Sequence, residues 1–232
     1  MSAGSIILIA LALVAGAARA ASAQAVDPSG HWEGAITAPF GEIPIALDIA
    51  RRDGILIATF SRADGSVTGF PLSDLELNTS ELKMTLKANG GGIMRASIAG
   101  TQMSGSFAAF AGTVPFAVKR TGDARFSPPP VNKAISRTLE GTWTARLAAG
   151  ADSVTFRMTL RNNPDGTASA VMADDHGVEV PLKVTQEGAT VTIEIPSARA
   201  AFTGTLDGQG TAIEGNYVEG ALNAPVVFSK AR

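Results

Sequence analysis

The chain has 232 residues, no cysteine and a nearly even charge balance, with 19 basic against 21 acidic residues. The lack of cysteine excludes disulfides and thiolate metal sites, and the near-neutral charge without a basic stripe argues against nucleic acid as a partner. Aromatic residues make up only 6% of the chain, which leaves little material for a stacking platform that binds sugars or bases.

The first segment predicts export. Residues 6–18 form an uncharged apolar run of signal-peptide length, and small residues with two Ala-x-Ala sites follow it. We therefore expect a signal peptide over residues 1–23 and a bacterial protein that is periplasmic or secreted. An uncleaved anchor is the alternative, but the run is shorter than the ~20 residues that a membrane span needs. No integral membrane segment is expected after cleavage.

Residues 26–121 are predicted to form the first of two β domains. Apolar residues alternate over 45–49 and 82–86, which is the period of half-buried strands. Short hairpins join antiparallel neighbours, so we expect seven or eight strands in up-and-down order. The runs are separated by dipeptides that accept the positive φ of tight turns, namely Asp53-Gly54, Asp64-Gly65 and Asn89-Gly90.

Residues 122–140 break this pattern and are expected to form a linker between two domains. Three consecutive prolines at 128–130 favour an extended spacer. Val131, Ile135 and Leu139 then recur at intervals of four, a spacing that predicts one short amphipathic helix. The sequence leaves open whether the two domains pack against each other.

Residues 141–232 repeat the landmarks of the first domain about 110 positions later. Gly30-His31-Trp32 corresponds to Gly141-Thr142-Trp143, and Met103–Phe107 corresponds to Ile213–Tyr217. Self-similarity of this kind indicates a duplicated fold unit. An antiparallel meander of this size avoids exposed edges most simply by closing on itself. The predicted fold class is therefore all-β, with two tandem small antiparallel up-and-down barrels.

Side chains are expected to fill the interior of barrels this small. The alternating pattern assigns the same number of inward side chains to each copy. In the first copy they are Trp32, Ile36, Leu47, Leu72, Met84, Ile98, Phe107 and Phe116, and in the second they are Trp143, Leu147, Met158, Leu182, Ile193, Leu206, Tyr217 and Val226.

Each copy has Gly-x-Trp at the entry to its first strand and a basic residue at the end of its last. This arrangement resembles the structural signature of lipocalin-like barrels. The resemblance implies that the Trp closes one end of the barrel while the basic side chain packs across its ring. The barrel-closing residues expected on this basis are Trp32, Arg120, Trp143 and Lys230, with Lys119 as the alternative to Arg120.

The order of landmarks is also similar to an uncharacterised tandem β repeat. It runs through Gly-x-Trp, an alternating strand, Pro-Leu, a second alternating strand, Ile-x-Gly-x-aromatic and Pro-x-x-basic. That repeat accompanies secreted bacterial α/β-hydrolases and serine β-lactamase-like hydrolases as an accessory segment. The catalytic domain has no counterpart in this sequence, and Phe107 and Tyr217 stand where a second Trp is common.

No catalytic constellation is predicted. Ser80–Lys83 matches Ser-x-x-Lys, but it leads into an alternating strand in which positions three apart point to opposite faces. Asp174, Asp175 and His176 form a compact cluster with metal-ligand chemistry, although such a loop more often carries solvated charges. We therefore expect no metal and no cofactor. His31 is expected to face solvent near the mouth of the first barrel.

These observations predict an exported, non-enzymatic binding protein. It would bind either a small apolar ligand at a barrel mouth or a partner protein of the bacterial envelope. The alternative is a free-standing accessory or protein-interaction module related to the hydrolase-associated repeat. An unrecognised hydrolase or isomerase is a third hypothesis, because fold analogy alone does not decide function. The sequence assigns no ligand-binding residues.

Overall fold

The computed structural model describes residues 26–87, 91–109, 112–149, 152–173 and 179–231. The expected signal peptide lies outside these residues, and so do Asp174, Asp175 and His176. The regular secondary structure of the described chain is almost entirely β-strand, with one 3₁₀ turn.

Eight strands form the first barrel. Each pairs antiparallel with its neighbour along the chain, and the last returns to pair with the first, so the sheet closes without an edge. The strands are β1 Gly30–Ala38, β2 Gly41–Arg52, β3 Ile55–Arg62, β4 Phe70–Asn78, β5 Glu81–Leu86, β6 Gly92–Ala99, β7 Gln102–Ala109 and β8 Gly112–Gly122.

The second barrel repeats this topology with one break. Its strands are β9 Asn132–Lys133, β10 Gly141–Ala149, β11 Asp152–Asn162, β12 Thr167–Ala173, β13 Glu179–Pro181, β14 Lys183–Glu187, β15 Thr190–Ile195, β16 Ala200–Leu206, β17 Ala212–Glu219 and β18 Leu222–Lys230, with a 3₁₀ turn at Pro196–Ala198. The path of the sheet runs from β13 round to β14, and only Leu182 separates these two strands. Together they take the place of β4, and the predicted pair of tandem barrels is confirmed.

The core consists of the alternating side chains that the sequence predicts. Every predicted inward residue of both copies is at most 8% exposed. Burying one Leu, Ile, Phe or Met side chain stabilises a fold by about 1.5–3 kcal/mol relative to leaving it in water. The two interiors therefore supply the stability that disulfides give many small exported domains.

The tryptophans make the same contact in both barrels. Trp32 is fully buried, and its indole N–H donates a hydrogen bond of 2.9 Å to the carbonyl oxygen of Pro28. Trp143 is also fully buried and donates a bond of 2.9 Å to the carbonyl oxygen of Leu139. In both cases the acceptor lies four residues before the Trp, in chain that crosses the end of the barrel.

A cation lies over each indole ring. The guanidinium carbon of Arg120 is 4.6 Å from the centroid of the first Trp ring, and Nζ of Lys230 is 5.3 Å from that of the second. Arg120 also donates to the carbonyl oxygen of Asp27, and Lys230 to that of Thr138, each at 2.7 Å. We infer that these contacts seal this end of each barrel, here called the Trp end. The opposite end is called the far end.

The helix expected from Val131, Ile135 and Leu139 does not form, and that prediction is wrong. The chain instead makes the short strand β9, which pairs with Thr167 and Ala168 of β12, while Val131 is 85% exposed. Ile135 and Leu139 are buried because the chain crosses the Trp end of the second barrel, where the backbone N–H of Leu139 donates to the carbonyl oxygen of Ser136 in a turn. The spacing of four therefore reflects two separate contacts with the barrel and not a helical face.

The strand β9 fills the break in the wall of the second barrel. Asn132 is 3% exposed, and its Nδ2 donates to the carbonyl oxygen of Leu182 at 3.1 Å while its Oδ1 accepts from the N–H of Val184 at 2.8 Å. Leu182 is the residue between β13 and β14, and Val184 lies in β14. The buried side chain of Asn132 thus makes the hydrogen bonds with these backbone groups that a continuous strand pair would otherwise make.

The far ends of the two barrels contact each other. Residues 63–69 connect β3 to β4 at the far end of the first barrel, and the 3₁₀ turn Pro196–Ala198 occupies the far end of the second. The N–H of Thr68 donates to the carbonyl oxygen of Ser197 at 2.8 Å, and β4 also touches β13. The two barrels therefore pack against each other through their far ends, a point that the sequence leaves open.

Candidate functional site

Burial varies along each barrel. Inward side chains in the middle are almost completely buried, for example Leu47 and Met84, and so is Trp32 at the Trp end. Several inward apolar side chains at the far ends are only partly buried, and they are Ile43, Ala109 and Val114 in the first barrel and Phe156, Met172 and Ala224 in the second. At the Trp end of the first barrel, Leu56 and Leu77 are also only partly buried. Each barrel therefore presents apolar surface to solvent at its far end.

Arg62 adds a charge to the far end of the first barrel. It is the last residue of β3 and pairs with Ile45, a core residue that is 4% exposed. Paired residues of antiparallel strands lie on the same face of the sheet, so Arg62 points inward. Its Nη2 lies 2.8 Å from Oδ2 of Asp64, whereas its Nε is buried and has no hydrogen-bond partner.

Asp64 neutralises only part of the positive charge at this place. The hydroxyl and the backbone N–H of Ser66 donate to its carboxylate at 2.6 and 2.9 Å. These bonds hold the pKa of Asp64 below its ordinary value, and the charges of Arg62 and Arg199 add smaller effects in the same direction. One carboxylate thus lies near two arginines and balances only one of their two positive charges.

Tyr217 and Glu219 line the far end of the second barrel. Their partners on β16 are the buried residues Phe202 and Ala200, so both side chains point inward. The Tyr217 hydroxyl donates to Oε2 of Glu219 at 2.9 Å. Burial raises the pKa of Tyr217 far above its ordinary value, and the neighbouring carboxylate raises it further. The hydroxyl therefore stays protonated and keeps donating this hydrogen bond.

His31 is buried, which corrects the expectation that it faces solvent. It is 6% exposed, and its Nδ1 and Nε2 lie 2.7 Å from Oδ1 of Asp48 and 3.2 Å from Oε1 of Glu33. The backbone N–H of Arg125 donates to the same oxygen of Asp48 at 2.7 Å. Chain that follows β8 thus folds back over the outer wall of the barrel and covers the imidazole.

Glu33 belongs to the same cluster as His31 and Asp48. A hydrogen bond from the side chain of Thr121 lowers the pKa of Glu33 below its ordinary value, and the contact with His31 lowers it further. Both ring nitrogens of His31 therefore face carboxylate oxygens. We infer that the cluster fastens the start of the linker to the first barrel. In the second copy the paired positions are Thr142 and Thr159.

Replacing His31 with alanine is expected to loosen the start of the linker. The change leaves Asp48 buried with one hydrogen bond fewer, which costs about 1–3 kcal/mol. Urea unfolding measures that loss, and hydrogen exchange at the amide of Arg125 measures the loosening. Thr142→Ala at the equivalent position of the second copy is the matched control and should change neither. An unchanged exchange rate at Arg125 in the His31 variant would contradict the fastening role.

The Ser80–Lys83 motif has no catalytic geometry. Ser80 lies in the turn before β5, and Nζ of Lys83 forms an ion pair of 2.7 Å with Glu76. Lys83 instead lines a shallow groove of about 450 Å³ on the outer face of the first barrel, together with Arg95 and Ser104. Among the residues that the structure describes, no group of three or more His, Asp or Glu side chains could hold a metal ion.

Within the described ranges, no helix is long and apolar enough to cross a bilayer.

Comparisons with known proteins give structural neighbours only. No protein-family model matches the chain, and no curated protein matches it significantly. A solved protein of Bacteroides fragilis, named provisionally as an outer membrane protein, is 14% identical with a TM-score of 0.27, over 88% of this chain and 97% of that one. A Nostoc punctiforme protein of unknown function from the DUF3598 family is 12% identical with a TM-score of 0.26, over 88% and 96%.

Proposed function

We propose that the protein is an exported, non-enzymatic binding protein that takes a small apolar ligand at the far ends of its barrels. The observation that carries this proposal is the apolar surface at the far ends. Six inward apolar side chains there remain partly exposed, while Trp32 and Trp143 at the opposite ends are fully buried. A ligand that covers the exposed groups gains about 25 cal/mol for each Å² of apolar surface removed from water.

The filled interiors limit where this ligand lies. A pocket for a small molecule normally needs at least about 300 Å³, and the middle of each barrel is occupied by its own side chains. The ligand therefore binds across the far ends and not deep inside one barrel. The contact between Thr68 and Ser197 holds these ends beside each other, so that both barrels contribute surface.

A protein partner is the second candidate, and one observation favours it. Phe40 lies in the hairpin between β1 and β2 at the far end and is 84% exposed. Large aromatic side chains are enriched in the cores of protein interfaces. An accessory role of the type suggested by the hydrolase-associated repeat would use this side chain as an anchor for an envelope protein.

A thermal-shift screen distinguishes the two candidates. A ligand present at 100 times its Kd adds about 2.7 kcal/mol to the stability of the folded state, and 1 kcal/mol raises the Tm of a protein this size by about 2–4 °C. We therefore expect an increase of about 5–10 °C with at least one apolar compound, and no increase with glucose as a polar control. A flat response to every apolar compound would reject the ligand proposal in favour of a protein partner.

A further inference from the structure

Two buried hydrogen-bond donors without partners lie where the barrels meet. They are Nε of Arg62 and the hydroxyl of Ser197. The backbone N–H of Arg62 donates to the carbonyl oxygen of Val67 at 2.9 Å. The backbone N–H of Thr68, the residue after Val67, donates to the carbonyl oxygen of Ser197 at 2.8 Å. This short chain of backbone contacts places Arg62 and Ser197, the residues that carry the two donors, at the same junction.

Unsatisfied donors of this kind need an explanation. Leaving one buried donor without an acceptor costs about 1–3 kcal/mol, and native proteins contain few of them. Here one donor comes from each barrel, and both belong to the junction between the far ends. An acceptor group that binds at the junction would satisfy both donors at once.

The charges at the junction favour a negative acceptor. Asp64 is the carboxylate near both Arg62 and Arg199. Arg199 has a left-handed backbone with φ 49°, which is costly for a residue with a side chain. Its side chain packs so closely on Gly65 that a Cβ there would lie 2.5 Å from Nη2. Arg199 of the second barrel thus adds a second positive charge to the junction, beside that of Arg62.

We propose that the ligand is an apolar acid whose carboxylate accepts hydrogen bonds from Arg62 and Ser197 at the junction of the two barrels. The inference rests on the proposed binding function and adds the chemical class of the ligand. A guanidinium group matches the planar geometry of a carboxylate. A neutral head group would leave one positive charge of Arg62 and Arg199 unbalanced by Asp64, whereas a carboxylate balances it while the apolar chain covers Ile43 and Val114.

Isothermal titration of the full mature protein tests this head group. The probes are decanoate and decanol, which share an apolar chain and differ in charge. Decanoate is expected to bind more tightly than decanol. Arg62→Met keeps the apolar stem and removes the charge, and it should weaken decanoate about 10- to 100-fold while leaving decanol unchanged. Arg52→Met is the control, because Arg52 is exposed at the Trp end.

Ser197→Ala provides a second variant that removes only a hydroxyl. It should weaken decanoate by a smaller factor than Arg62→Met, and it keeps the test decisive if the arginine variant does not fold. Equal affinities for decanoate and decanol, or unchanged decanoate affinity in both variants, would overturn the assignment of the head group and leave the binding function intact. Binding of neither probe would overturn the assignment together with the proposed function.

Discussion

Replacing Trp32 with alanine is expected to lower the free energy of unfolding by about 3–5 kcal/mol. The indole is fully buried at the Trp end, so its removal leaves a cavity under the chain that crosses the barrel. The carbonyl oxygen of Pro28 loses its hydrogen bond at the same time, and the guanidinium group of Arg120 loses the ring beneath it. No smaller side chain replaces all three contacts.

Urea unfolding followed by circular dichroism measures this loss. Because the second barrel has the same arrangement, Trp143→Ala should cause a loss of similar size. Phe40→Ala is the control, since it removes an aromatic side chain that is 84% exposed and should change stability by less than about 0.5 kcal/mol. A loss below about 1 kcal/mol for Trp32→Ala would contradict the sealing role assigned to the ring.

Replacing Asn132 with alanine is expected to cost about 2–6 kcal/mol, because it leaves two buried backbone groups without a hydrogen-bond partner and each unsatisfied group costs about 1–3 kcal/mol. The carbonyl oxygen of Leu182 and the N–H of Val184 both depend on this side chain. Their loss should act on the wall of the second barrel, where β13 and β14 separate.

The neighbouring residue provides the control for this experiment. Lys133 belongs to the same short strand and is exposed, so Lys133→Ala should leave the urea midpoint almost unchanged. Hydrogen exchange at the amide of Val184 reports the local effect and should accelerate only in the Asn132 variant. Equal midpoints for the two variants would show that Asn132 does not complete the wall.

Most of the fold is predictable because period two is a strong local signal. Leu82, Met84 and Leu86 alternate with polar residues, and all three are buried in β5. The repeat adds a check, since Val191, Ile193 and Ile195 do the same in β15. A pattern that occurs twice in the same order leaves few other topologies.

The linker is where sequence reasoning fails. Ile135 and Leu139 have the spacing of a helix, but they pack against the end of a barrel whose strands come later in the sequence. One signal was present: the Trp-end acceptor Pro28 lies four residues before its Trp, and Leu139 lies four before Trp143. Aligning the residues ahead of Gly-x-Trp in both copies would have assigned Leu139 to the barrel.

The polar features at the site depend on contacts distant in sequence. His31 is buried by the segment around Arg125, and Asn132 is buried by Leu182 and Val184. Arg62 reads from sequence as an ordinary charged residue at the end of a strand. Its inward direction follows from its pairing with Ile45, and its unpartnered Nε follows from packing that no local pattern encodes.

Native mass spectrometry of the mature protein, purified gently from its natural source, tests most directly whether the far ends bind a small molecule. The sample is compared with the same protein after denaturation. Our account predicts extra mass in the native spectrum that denaturation removes, and that the released compound is an apolar acid. A native mass equal to the denatured mass, from a sample that also gives no thermal shift with apolar ligands, would contradict the account.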